Sequence, residues 1–248
     1  MFYLSELIKF YKQMKDILGI ALLDYHHGNY SEDIITETNI SEEDEMPLPY
    51  LFRSFSEMNP IEKKALQKSK GRVLDVGCGA GIHSIHLQKK GFDITAIDIS
   101  EGAVNVCKER GIKDVRNIEL LALGNEKFDT ILLLMNGTGI FKKLIHVAEY
   151  LQKLKALLLP EGQILIDSSD LRYMYDTGEE GGIIVPADRY YGELEFTMSY
   201  KGEKSESFDW LYLDPNLFEN ACLASGLDFN IIKDGENFDY LARLTNLD

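Results

Sequence analysis

The sequence predicts an α/β protein built on a doubly wound, mostly parallel sheet, and three observations carry that prediction. Residues 71–100 read as strand, glycine turn, helix, strand and terminal acid, which is a nucleotide-binding βαβ unit. Apolar runs suited to buried parallel strands recur at residues 128–135 and 162–166. Helical periods at residues 100–110 and 141–158 alternate with these runs. A chain of 248 residues suits one such domain with additions.

In chain order, Leu4, Leu7, Ile8, Tyr11, Met14 and Leu18 fall at helical spacing, so residues 3–18 are expected to form an amphipathic helix that Gly19 ends. His26 and His27 are adjacent and have no Cys or His partner at ligand spacing, so they read as surface or pocket-rim residues and no metal is expected. Residues 31–46 carry seven acids and no Lys or Arg, the composition of a solvated, mobile connector. Pro47 and Pro49 then enforce extended backbone ahead of Arg53. Asn59 followed by Pro60 is a cap-and-proline start for a short helix over residues 61–67.

Residues 73–76 form the first strand of the βαβ unit, and Gly77, Gly79 and Gly81 alternate with Cys78 and Ala80 behind it. Without a Cβ, these positions take strained dihedrals and let backbone approach a ligand. A helix starting near Gly81 turns unpaired N–H groups toward an anion and stops at Gly91. Asp98 closes the second strand, where a carboxylate can accept both hydroxyls of a ribose. Residues 112–117 are expected as the third strand.

Beyond residue 170 the alternation stops. Leu194, Phe196, Met198 and Tyr200 share one face, and Phe208, Trp210 and Tyr212 share another, with Lys201 to Lys204 between them. This is the pattern of a β-hairpin. Asp214 and Pro215 repeat the helix start, Gly226 ends that helix, and residues 227–232 and 238–244 read as a final pair of strands.

Net charge is −15, which opposes the phosphate neutralisation that nucleic-acid binding requires, so the expected partner is a small molecule and not nucleic acid. No apolar run approaches the roughly 20 residues of a membrane span, and the start does not read as a signal peptide. Cys78, Cys107 and Cys222 are odd in number and lie in apolar patterns, as expected of reduced thiols in a cytoplasmic protein.

The spacing D-x-G-x-G-x-G from Asp75, with Ile82 where a dinucleotide fingerprint needs its third glycine, resembles motif I of the class I S-adenosylmethionine (SAM)-dependent methyltransferases. Asp98 matches the acidic motif ending the second strand of that family, and residues 128–134 are similar to its motif IV. The resemblance implies a seven-stranded sheet with an antiparallel last strand. Residues 61–170 and 214–248 would form the Rossmann-like SAM-binding domain, 1–60 an N-terminal helical and capping segment, and 171–213 an inserted hairpin cap over the substrate.

The resemblance also assigns Asp75, Gly77, Cys78, Gly79, Gly81, Asp98 and Ile99 to the cofactor, with Asn117 and Ile118 (or Glu119) at the adenine and Arg53 at its carboxylate. Met135 and Asn136 would line the transfer site, and Asp167, Tyr190, Tyr191 or His83 would serve as a base if one is used. The implied activity is methyl transfer to a small-molecule acceptor by a monomer or homodimer. The alternatives are a SAM-binding regulator or scaffold without transfer activity and, against the evidence of Ile82, a nicotinamide oxidoreductase.

Overall fold

The computed structural model describes residues 15–176, 182 and 184–247. Its centre is a seven-stranded sheet formed by β3 (Arg72–Val76), β4 (Asp93–Asp98), β5 (Val115–Asn117), β6 (Phe128–Leu133), β7 (Leu158–Ser169), β11 (Leu227–Asp234) and β12 (Asp239–Asn246), in the order β11-β12-β7-β6-β3-β4-β5. From β5 to β7 all pairings are parallel, and β12 runs antiparallel to both neighbours. Strand order runs outward in both directions from β3, so the crevice at the carboxyl end of β3 is where such a sheet receives a ligand.

The pleat sends alternate residues to opposite faces. Leu74, Ile131, Leu133 and Ile164 join Tyr150, Phe141 and Phe218 in one core. Val73, Leu132, Leu165 and Leu241 join Ile61 and Ile94 in the other. The helices on these faces are α3 (Pro60–Lys68), α4 (Ile82–Lys89), α5 (Glu101–Glu109), α6 (Val147–Leu157) and α7 (Pro215–Ala224). Of the 141–158 period only α6 is α-helical, because 3-10 turns occupy Gly137–Phe141 and Leu144–His146. Among the described residues no helix is long and apolar enough to cross a membrane.

Two expectations for the N-terminal segment are corrected. Most of the helix expected over residues 3–18 lies outside the described residues, and Gly19 does not end a helix. Gly19 sits in the first turn of α1 (Ile17–His26), with its N–H on Asp16 Oδ1 at 2.9 Å. The reason for glycine here is close approach: a Cβ on Gly19 would overlap the Asp16 carboxylate that caps the helix, and one on Gly102 of α5 would overlap the Gly19 backbone.

The acidic stretch is not a mobile connector either. It forms β1 (Ile34–Thr38) and β2 (Asp44–Met46), followed by the short α2 (Leu48–Leu51). β1 pairs antiparallel with β8 (Glu193–Tyr200), and β8 pairs with β9 (Glu203–Lys204) and β10 (Phe208–Leu211). The hairpin turn has Lys201 at φ 49° and Gly202 at φ 75°, the sense that matches strand twist. Lysines of the hairpin turn pair with the N-terminal segment, Lys204 Nζ with Glu37 of β1 at 2.6 Å and Lys201 Nζ with Asp24 of α1 at 2.7 Å. A second, five-stranded sheet is thus built jointly by the N-terminal segment and the insertion.

This second sheet is seated on the loop after β6. Trp210 of β10 lies where a Cβ on Gly139 would be. The Leu211 carbonyl accepts from Thr138 Oγ1 at 2.9 Å and Asn136 Nδ2 at 3.3 Å. Leu213 N–H donates to Ser168 Oγ at 2.8 Å.

Candidate active site

The glycine bend follows directly from β3. Gly77, Gly79 and Gly81 have φ of 71°, 52° and 79°, all in the left-handed region that a Cβ disfavours. A Cβ on Gly77 would lie 3.1 Å from Ile140, and one on Gly81 would lie 2.8 Å from Cys107 Sγ. A Cβ on Gly79 would meet nothing within 4 Å, so the middle glycine faces open space while the outer two pack against the protein. Cys78 Sγ is 3.8 Å from Cys107 Sγ, and both thiols are buried and free. Asp75 lies beneath the bend and accepts from Ser84 Oγ at 2.6 Å, tying β3 to the first turn of α4.

Asp98, at the tip of β4, takes one N–H on each carboxylate oxygen: Gly79 N at 2.9 Å and Ser100 N at 2.9 Å. Each oxygen keeps a further lone pair for a ligand hydroxyl. Burial raises the Asp98 carboxyl above its ordinary range, opposed by those two N–H donors. Ile99 stands 72% exposed just beyond it. Asn117 donates both amide hydrogens to main chain, at Asp98 O (3.1 Å) and Ile99 O (2.8 Å), which leaves its side-chain oxygen as an acceptor. Ile118 N–H donates to Asp98 O at 3.0 Å, and Glu119 is held by Lys142 at 2.8 Å and Tyr150 at 3.2 Å.

Arg53 is buried, with its guanidinium 3.6 Å from the centre of the Tyr50 ring. Its Nη2 pairs with Glu62, whose same oxygen lies 2.7 Å from His83 Nε2. Burial pushes the Glu62 carboxyl up, but hydrogen bonds from His83 and Arg53 outweigh it and hold the group at about 2. Glu62 therefore stabilises the fold fully above its ordinary value of 4.5, and that contribution is lost as pH falls toward 2. Urea midpoints are expected to fall on acidification through this window, and Glu62→Gln is expected to flatten part of that limb.

At the end of β6, Met135 and Asn136 are consecutive left-handed non-glycine residues, at φ 66° and 60°. Asp167 on β7 holds this strained loop by accepting from Met135 N at 3.1 Å and Gly137 N at 2.8 Å. Burial pushes the Asp167 carboxyl up to about 6, opposed by backbone N–H donors of the loop, Gly137 foremost. Asn136 Nδ2 donates to the Leu211 carbonyl of β10.

Tyr191 donates to Asp170 Oδ1 at 3.0 Å and Tyr190 to Asp214 Oδ2 at 2.7 Å, and burial raises both phenols well above the ordinary range. Both phenols stay protonated as donors, which suits positioning and not proton abstraction. The structure therefore brings Asp75, the glycine bend, Asp98, Ile99, Asn117 and Ile118 to one end of β3–β5, and Met135, Asn136 and Asp167 to the neighbouring ends of β6 and β7. It sets Tyr191 in a separate cluster with Asp170 and Tyr190.

Sequence reasoning missed Glu62. It occupies the third helical position of a capping box with Asn59, so its spacing explains it as a cap and hides its two cationic partners.

A dinucleotide needs glycine at position 82 for close packing of α4, and here Ile82 is buried in the core instead. What remains is the three-glycine bend closed by Asp98, and a sheet with its last strand reversed beside β7. Together these define the class I SAM-dependent methyltransferases.

The chain belongs to the methyltransferase domain family, which it matches over residues 51–230. It is similar to the crystal structure of a SAM-dependent methyltransferase from Bacteroides fragilis in complex with S-adenosyl-L-homocysteine, at 41% identity over 94% of this chain and 95% of that one, with a TM-score of 0.87. A sugar N-methyltransferase from a Streptoalloteichus species shares the fold, at 15% identity over 82% of this chain and 94% of that one, with a TM-score of 0.58. In sequence, the tRNA U34 carboxymethyltransferase of Pseudoalteromonas translucida is 31% identical over 136 residues, which is 50% of this chain. The chain covers 39% of that curated relative's length.

Proposed function

We propose that this chain binds SAM across the tips of β3 and β4 and passes its methyl group to a small-molecule acceptor beneath the second sheet. The observation that carries the cofactor part is the pairing of an open Gly79 with a buried Asp98 whose oxygens each keep an acceptor position. In this reading Asp98 accepts the ribose hydroxyls, and Asn117 offers its remaining oxygen to the adenine amino group between Ile99 and Ile118. The amino-acid tail lies along the bend, with its carboxylate at Arg53. The fit is supported by Arg53 Nε, a buried donor that has no acceptor among the described residues.

The bound sulfonium supplies an activated methyl group, so the protein's task is to position the acceptor and exclude water. Alignment of this kind lowers a barrier by about 7–11 kcal/mol. Met135 and Asn136 form the wall of the transfer site. Asp167 acts through them by fixing the loop, and an amine acceptor arriving neutral needs no further base.

Two observations support a small acceptor: the seating of Trp210 and Leu211 over the β6 loop, and the net charge of −15. Three buried free cysteines support a reducing, cytoplasmic setting. Incubation with methyl-labelled SAM, a metabolite extract and bulk tRNA tests the reading. Label is expected in the low-mass fraction, and label confined to RNA would overturn it.

A further inference from the structure

Glu62 is fully enclosed, at 0% exposure, and three donors from three parts of the chain converge on its two oxygens. Asn59 N–H meets Oε2 at 3.1 Å, while His83 Nε2 (2.7 Å) and Arg53 Nη2 share Oε1. A helix cap needs only the first of these. The other two join the N-terminal segment, through Arg53, to the helix that begins under the glycine bend, through His83.

Arg53 is thereby fixed on every side but one. Tyr50 covers one face of the guanidinium, the Tyr50 carbonyl holds Nη1 at 2.5 Å, and Glu62 holds Nη2. Of its three nitrogens, Nε alone is buried and without an acceptor among the described residues. A buried donor on a cation is costly while unpaired. It marks a position that an anionic ligand completes.

We propose that Glu62 is a positioning residue for the cofactor's carboxylate, locking the guanidinium and His83 so that the Nε edge is presented to the amino-acid tail. This rests on the reading of Arg53 given under Proposed function.

Calorimetric titration with two ligands tests it: S-adenosylhomocysteine, and 5′-methylthioadenosine, which keeps the nucleoside and sulfur and lacks the amino-acid tail. Glutamine at position 62 offers one oxygen where three donors converge on two, so one donor always faces an amide –NH2. Glu62→Gln is expected to weaken S-adenosylhomocysteine by roughly 10- to 100-fold, the loss of one charge-assisted hydrogen bond. Affinity for 5′-methylthioadenosine stays within twofold. Arg53→Lys gives the same split, and the double variant is no weaker than Arg53→Lys alone, since the two residues act as one unit.

Equal weakening of both ligands would assign Glu62 a purely structural role and overturn the proposal. So would additive losses in the double variant. The substitution also removes a negative charge, which by itself favours an anionic tail, so unchanged or tighter S-adenosylhomocysteine binding overturns it as well. If Glu62→Gln does not fold, Glu62→Asp, which keeps the charge and shortens the reach, carries the same expectation and the same refutation. A wild-type protein that binds neither ligand would refute the cofactor reading itself, and the proposal with it.

Discussion

Asp98→Ala is expected to weaken S-adenosylhomocysteine binding by about 100-fold or more. The substitution removes the acceptor for two ribose hydroxyls, each hydrogen bond to an ionised carboxylate contributing roughly 1.5–3 kcal/mol. It also frees Gly79 N–H and Ser100 N–H, which the carboxylate fixes at 2.9 Å each, so the bend loses its brace together with its ligand contact. Unlike the Glu62 variants, this one is expected to weaken 5′-methylthioadenosine equally, because the nucleoside is common to both ligands. The pH dependence has a definite sign. Burial raises the Asp98 carboxyl, so its acceptor capacity fails on acidification before that of an exposed aspartate would. Calorimetry showing unchanged affinity in the variant would contradict the role.

Gly139→Val is expected to separate cofactor binding from turnover. A side chain at this position overlaps the Trp210 indole, so β10 has to lift from the β6 loop. Its Leu211 carbonyl then leaves Thr138 and Asn136. Methyl transfer is expected to fall by about 100-fold, the cost of a misplacement of order 1 Å at the reacting groups. S-adenosylhomocysteine affinity should stay within threefold, because Asp98 stands on β4, across β3 from the β6 loop. Trp210→Ala opens the space that valine needs, so the double variant should recover part of the loss, which would appear as favourable coupling in a double-mutant cycle. Equal turnover in Gly139→Val and the wild type would show that the second sheet does not close the transfer site.

What the sequence made legible here is what local pattern encodes. The glycine spacing after Asp75, the acid at Asp98 and the apolar strands depend on neighbours within a few residues, and the βαβ unit forms where they place it. The hairpin was legible for the same reason, from alternation and a turn. Its partner was not. β1 pairs with β8 across about 160 residues, and its Glu37 looks solvated until Lys204 is brought beside it. Gly19 reads as a breaker because the pattern does not show that the Asp16 carboxylate folds over it to cap the helix. At the site, residue type was legible but partners were not: the contacts of Tyr191 with Asp170 and of Asn136 with the Leu211 carbonyl join residues 21 and 75 positions apart, which no local pattern encodes.

A crystal structure grown with S-adenosylhomocysteine tests the central claim most directly. The expected density places both ribose hydroxyls on the Asp98 carboxylate, the adenine beside Ile99 and the tail carboxylate on Arg53 Nε, under a second sheet still seated on Gly139. A crevice at the ends of β3 and β4 filled by the protein's own side chains, with the ligand absent or bound elsewhere, would contradict it.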